Sequence, residues 1–227
     1  MDTPSAVLFD AYGTLFDVYS VARTGERLFP GNGQALAALW RDKQIEYTRL
    51  VTMGGDDSRY RPFWDLTLAG LRYACRQLDL DLNAPREQEL MAQYRELTAF
   101  PESREVLQGL RGRGIVTGVL SNGDPPMLQA AVRSAGLDDL LDHVLSIDTV
   151  RRYKTHPDAY ALGTRATGLA AGQVLFASSN GWDALAATWW GYQTLWVNRR
   201  QLPFETLGTQ PTRIGKSLWD VLSFFPG

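Results

Sequence analysis

Asp10 closes the apolar run Ala6-Val7-Leu8-Phe9, and Gly13 follows three residues later. An apolar strand that runs into a glycine-containing turn sets its carboxylate where open α/β sheets do chemistry, outside the carboxyl ends of the strands. A carboxylate in that place can serve as a nucleophile or a base. An Asp that ends a strand is also a common turn or cap residue, so its partners decide. Thr14 lies four residues on, and three later segments offer polar groups: Ser121-Asn122-Gly123, Lys154, and Ser178-Ser179-Asn180-Gly181-Trp182-Asp183. A lysine beside Asp10 would keep it ionised, and the hydroxyls of Thr14 and Ser178 would orient its oxygens. Asp183 supplies a second carboxylate able to activate water. It also reads as the N-cap of a helix over 184–190.

These segments need strands to carry them. Apolar or β-branched runs predict strands at 115–120, 143–147, 173–177 and 193–197, and helical patterns fall at 103–113, 126–135, 158–167 and 183–190. Such alternation predicts an α/β fold with a Rossmann-like, doubly wound parallel sheet joined by right-handed crossovers. Residues 20–98 read instead as an inserted helical cap, which leaves 1–19 and 99–227 as the core. Within the insertion, 16–33 look irregular and helices follow from Gln34, over 60–78 and over 85–98. The first carries an apolar stripe of Leu36, Leu39, Trp40, Tyr47, Leu50 and Val51, while Arg41 and Ile45 face another side and can overlook a ligand.

The chain has 227 residues, 44% of them hydrophobic and 21% charged, with a formal charge of -2. That balance gives no electrostatic footprint for nucleic acid, and Arg151 and Arg152 read as a solvated loop. Cys75 is the only cysteine, so no internal disulfide or thiolate cluster is available, and its neighbours Tyr73, Ala74 and Leu78 suggest a buried helix position. No run approaches the length of a membrane span, and no basic-then-apolar leader opens the sequence. A soluble cytoplasmic protein with no membrane partner is expected.

The stretches FDAYGTLFDVYSV from Phe9, LWRDKQIEYT from Leu39, LSNG from Leu120, YKTHPDAY from Tyr153 and LFASSNGWD from Leu175 together resemble the haloacid dehalogenase superfamily, and within it the L-2-haloacid dehalogenases. The resemblance spans about residues 6–198. It implies hydrolysis of short L-2-haloalkanoates to D-2-hydroxy acids through an ester on Asp10, with inversion at C2, no cofactor, no metal, and a homodimer. It makes Asp10, Thr14, Arg41, Lys154, Ser178, Asn180 and Asp183 the catalytic set. Ser121 with backbone amides around Ala11, Tyr12 and Asn122 would receive the substrate carboxylate, and Arg41 with Asn122 would cradle the departing halide. Tyr160, Asn180 and Trp182 resemble active-site residues of the family, the first as support and the others as substrate-side walls. Tyr12 and Phe63 would add apolar surface. Phosphatases of the superfamily resemble Asp-x-Asp at the first motif and carry an acidic residue near Ser178. Tyr12 and Ser178 stand there instead, which disfavours a phosphatase. A binding protein retaining the fold is the remaining alternative. Asp42 and Thr155 depart from the dehalogenase pattern, which resembles Arg-Gln and Lys-Pro at those places, and the stretch from Gly54 to Ser58 is longer and is expected to reshape the cleft entrance.

Overall fold

The computed structural model describes residues 2–18 and 20–225. Six strands form one parallel sheet: β1 (Ala6–Phe9), β2 (Val116–Ser121), β3 (His143–Ser146), β4 (Val174–Ser178), β5 (Gln193–Val197) and β6 (Arg213–Gly215). Their order is β3-β2-β1-β4-β5-β6. β1 therefore lies between β2 and β4, and the chain works outward to β3 before crossing back to β4. A crevice opens where such connections diverge, at the carboxyl ends of β1 and β4. Register puts Phe9 beside both Val119 and Ala177, so Asp10 and Ser178 emerge side by side.

Alternation along β1 divides the core. Val7 and Phe9 pack with α5 (Ser103–Arg111), α6 (Pro125–Ser134) and the 3₁₀ turn at Leu218–Phe224. Ala6 and Leu8 face α7 (Pro157–Thr167) and α8 (Gly181–Trp190) through Tyr160, Ala186 and Ala187. Five of these six were expected, and four of the five, β1, β2, β4 and β5, are buried nearly throughout and so read as continuous apolar runs. β6 was not expected; it is three residues long and two of them are exposed.

Between β1 and α5 the chain runs through α1 (Ser20–Leu28), α2 (Gly33–Met53), α3 (Phe63–Gln77) and α4 (Ala84–Ala92). The two connections pair with one another: Asp17 N–H donates to Thr98 O and Phe100 N–H to Leu15 O, both at 2.9 Å. Two expectations need correction. Residues 16–33 are not irregular throughout, because α1 occupies 20–28; it is a short amphipathic helix of nine residues whose buried face is Val21, Ala22 and Gly25. The last helix of the insertion stops at Ala92 rather than Thr98, and Tyr94, Leu97 and Ala99 continue as a turn and an extended return. Asn83 caps that helix, accepting from Arg86 N–H, with Pro85 in the first turn where its missing N–H costs nothing. Among the described residues no helix is long and apolar enough to cross a membrane.

Candidate active site

Asp10 N–H bonds to Ala177 O at 2.9 Å, which extends the ladder one residue and fixes the start of the turn. Gly13 then adopts φ +90°, open to glycine at little cost, and its carbonyl accepts the Ser179 hydroxyl at 2.7 Å. Thr14 donates to Asp10 Oδ2 at 3.0 Å and accepts Ser179 N–H at 2.9 Å, tying the loops after β1 and β4 together. Asn180 adds a second donor to Asp10 Oδ2 at 2.9 Å. As N-cap of α8 it makes no side-chain cap bond, so its amide is free to serve Asp10.

Lys154 lies between the two carboxylates. Its Nζ donates to Asp10 Oδ1 at 3.2 Å and to Asp183 Oδ2 at 2.9 Å, and stands 4.7 Å from the centre of the Phe176 ring. It is 1% exposed, and an ammonium so deeply buried requires such partners. The Asn122 side-chain carbonyl accepts Lys154 N–H at 2.9 Å and so anchors its loop. The Lys154–Thr155 peptide bond is cis.

Asp183 is fully buried and accepts from three side chains: Lys154, Ser178 at 3.0 Å and Tyr160 at 2.7 Å. Burial is the main force raising its carboxyl above the ordinary aspartate range, Lys154 opposes it, and the charge of Asp10 adds to it. Burial and the neighbouring Asp183 push the Tyr160 phenol far up, so it remains a donor. Three corrections follow. The Ser178 hydroxyl serves Asp183, not Asp10. Tyr160, expected as support within the substrate-binding group, supports Asp183 from the α7 side of the sheet and is not part of the cavity wall. Asp183 sits inside the first turn of α8, whose N-cap is Asn180.

A cavity of about 520 Å³ is lined by Tyr12, Asn180 and Trp182 from the core and by Arg41, Asp42 and Ile45 from α2; Asp10, Ser121 and Asn122 are not part of its wall, and Asp10 is linked to it through Asn180. Arg41 and Ile45 share the cavity-facing side of α2. Asp42 is exposed where it meets the cavity. Phe63 is not in this wall; it backs Tyr12, the two rings stacked at 5.8 Å. The Tyr12 hydroxyl is buried beside Gly123 with no hydrogen-bond partner among the described residues. Ser121 is fully buried at the end of β2 and accepts Gly123 N–H at 3.1 Å. Ala11 is buried in the turn, its carbonyl accepting from Leu15 and Phe16.

Some functional neighbours carried no signal in sequence. Tyr94 and Arg199 line the same cavity, as does Ser179, which the sequence showed only as part of the polar segment after β4. Arg199 donates to Thr14 O at 3.1 Å, pairs with Glu102 at 2.8 Å and lies over Phe100. It follows β5, so position at a strand's carboxyl end was the one available clue. The stretch from Gly54 to Ser58 does not line the cavity. It is pinned to the core by an Asp57–Arg152 pair at 2.5 Å, while Tyr60 nearby donates to Asp148 at 2.6 Å. Cys75 is buried, with its thiol pushed up to about 11 by burial. Among the described residues no group of three or more His, Cys, Asp or Glu side chains could hold a metal ion.

A buried aspartate at the switch point of a parallel sheet, held by a lysine that also holds a second aspartate, is the layout of a hydrolase working by covalent catalysis. The sequence profile of the haloacid dehalogenase-like hydrolases matches residues 4–191. The chain belongs to that family. It is 42% identical over 225 residues to an (S)-2-haloacid dehalogenase of Pseudomonas sp. (strain YL), covering 99% of this chain and 96% of that one. Among solved structures it is similar to the L-2-haloacid dehalogenase RSc1362, with 54% identity, 98% and 99% coverage and a TM-score of 0.96. It is also similar to the L-2-haloacid dehalogenase of Xanthobacter autotrophicus with chloropropionic acid covalently bound, at 35% identity, 99% and 100% coverage and a TM-score of 0.89.

Proposed function

We propose that this chain hydrolyses short L-2-haloalkanoates to D-2-hydroxy acids through an ester on Asp10, with inversion at C2. The observation that carries this is the sharing of one buried ammonium by Asp10 and Asp183, with Asn180, a donor to Asp10, lining the same cavity as Arg41. Both Asp10 Oδ2 donors, Thr14 and Asn180, hold the carboxylate still, while Oδ1 has one donor and keeps a lone pair for attack. Fixing a modest nucleophile behind C2 replaces a bimolecular encounter with near-attack geometry. Oδ1 forms the C–O bond as the carbon–halogen bond breaks, and the halide leaves with the electron pair toward Arg41. Asn122 completes the halide cradle, and Ser121 with the amides near Ala11 and Tyr12 receives the substrate carboxylate. Tyr12 and Trp182 then flank its alkyl group. Water next attacks the ester carbonyl of Asp10 with Asp183 taking one of its protons; the adduct collapses, the alcohol oxygen leaves with that proton, and Asp10 releases the remaining proton to solvent and returns to the carboxylate.

The paired relatives support this reading, since one holds chloropropionic acid covalently. Tyr12 and Ser178 replace the carboxylates of a superfamily phosphatase, so phosphoryl transfer is disfavoured. The proposal extends to a cytoplasmic homodimer and to residues 20–98 acting as the cap, both carried by the family resemblance.

A single turnover in ¹⁸O water with enzyme in excess tests the chemistry. The label is expected on the Asp10 peptide, with an unlabelled D-2-hydroxy acid from L-2-chloropropionate. Label in the first-turnover product and none on the peptide would mean direct water attack on C2. Phosphate release from phosphomonoesters without halide release would replace the reading with a phosphatase.

A further inference from the structure

A chain of buried hydrogen bonds runs beneath Arg41. Gln44, one turn further along α2, is fully buried and accepts Arg41 Nη1–H at its Oε1, 2.5 Å away. Its Nε2 donates to the Thr67 hydroxyl at 2.6 Å, and Thr67 donates its own proton to Phe63 O at 2.7 Å. The direction of these bonds is dictated by proton count. Thr67 has one hydroxyl proton and gives it to a carbonyl, so its oxygen receives from Gln44, which turns the NH₂ end of the amide toward Thr67 and its carbonyl toward Arg41.

The surrounding helices hold this arrangement close. A Cβ on Gly70 of α3 would lie 3.3 Å from both Gln44 N and Trp40 Cδ1. Trp40 Nε1 also donates to Thr67 O at 2.7 Å. Tyr94 stands alongside: burial raises its phenol, while Arg41 and Gln44 lower it. A buried amide on a stripe that otherwise holds Leu36 and Trp40 is costly unless its bonds are made, and here both ends of it are used.

We infer that Gln44 is a positioning residue for Arg41, and that this anchor sets how strongly the site discriminates among departing halides. The inference rests on the dehalogenase reading. A guanidinium offers five N–H donors in a rigid plane. Anchoring one of them at Gln44 stops the plane from turning and leaves the rest available to the cavity, whose lining Arg41 shares with Tyr12 and Asn180. In ester formation one negative charge moves from the Asp10 carboxylate to the leaving halide, with no proton transferred. A small, charge-dense anion gains more from a fixed donor than a large, diffuse one. Loosening Arg41 therefore slows release of chloride more than release of bromide.

The test is Gln44→Met, which keeps the side-chain length and removes both polar ends. Asp10 ester formation is followed in single turnovers of L-2-chloropropionate and L-2-bromopropionate. Loss of one hydrogen bond to a charged group corresponds to roughly 10- to 100-fold. The chloride rate is expected to fall by about that factor, the bromide rate by several-fold less, and KM to change little. In an Arg41→Lys background, Gln44→Met is expected to cause no further selective loss. If Gln44→Met does not fold, Thr67→Val cuts the chain one link away and is expected to shift the chloride-to-bromide ratio in the same direction. An equal fall for both halides, or full additivity with Arg41→Lys, would overturn the inference while leaving the dehalogenase reading in place. Failure of the unmodified enzyme to form any ester would overturn both.

Discussion

Replacing Ser178 with Ala separates the two steps of the proposed reaction. The hydroxyl donates to Asp183 Oδ2 at 3.0 Å, and Asp183 is the group assigned to water activation. Deleting a hydrogen bond to a buried carboxylate costs about 1.5–3 kcal/mol. In a rate, that is roughly 10- to 150-fold. The loss should fall on hydrolysis of the ester, not on its formation, because Asp10 takes its donors from Thr14, Asn180 and Lys154. Ser178 also accepts Asn180 N–H at 3.2 Å, so Ser178→Ala disturbs a residue that does touch Asp10. Tyr160→Phe avoids this by removing the 2.7 Å bond at the other oxygen of Asp183, and should give the same signature. With enzyme in excess over L-2-bromopropionate, quenched samples report bromide release and the mass of the Asp10 peptide. Bromide release near the unmodified rate with a long-lived ester is expected for both variants. If bromide release slows by the full factor and no ester accumulates, these hydroxyls act on the attack at C2 and Asp183 loses its assigned role.

Asp42→Gln should preserve or raise kcat/KM on 2-haloacids by about two- to five-fold, since it removes a negative charge from the cavity edge, and the gain should shrink at high salt. A severe loss would make Asp42 part of the binding site. Ester hydrolysis should fail on acidification earlier than for an ordinary aspartate, because burial holds the Asp183 carboxyl above its usual range and only the ionised form accepts a proton. Rates of ester decay that stay flat down to about pH 4 would contradict this. Exhaustive EDTA treatment should leave turnover unchanged, since both site carboxylates are engaged by Lys154. Loss of turnover that Mg²⁺ restores would refute that assignment.

The sheet was legible because its central strands are buried on both faces and so spell continuous apolar runs. The placement of Asp10, Ser121, Lys154 and Asp183 at one end of it followed from the order of those strands. Other features had no such signature. α1 spans only nine residues, too short a period to stand out beside the turn-forming Pro30-Gly31-Asn32-Gly33 that follows, and it packs closely there, where a Cβ on Gly33 would meet Glu26 N at 2.5 Å. Gln44 and Thr48 continue the buried stripe of α2, and polar residues there look like its solvent side until their partners on α3 are known. The exchange of Ser178 from one aspartate to the other was equally hidden. Five residues separate Ser178 from Asp183, but whether the turn folds the hydroxyl back depends on Asn180 opening the helix.

The paired crossings at Leu15–Asp17 and Thr98–Phe100 bear on how such an enzyme can diversify. An insertion whose two ends meet on the host can lengthen or shorten without moving either end, and doubling a loop adds only about 0.6 kcal/mol of closure cost. Residues can therefore be gained or lost between those crossings, altering the walls carried by Arg41 and Ile45, without changing where the sheet places Asp10.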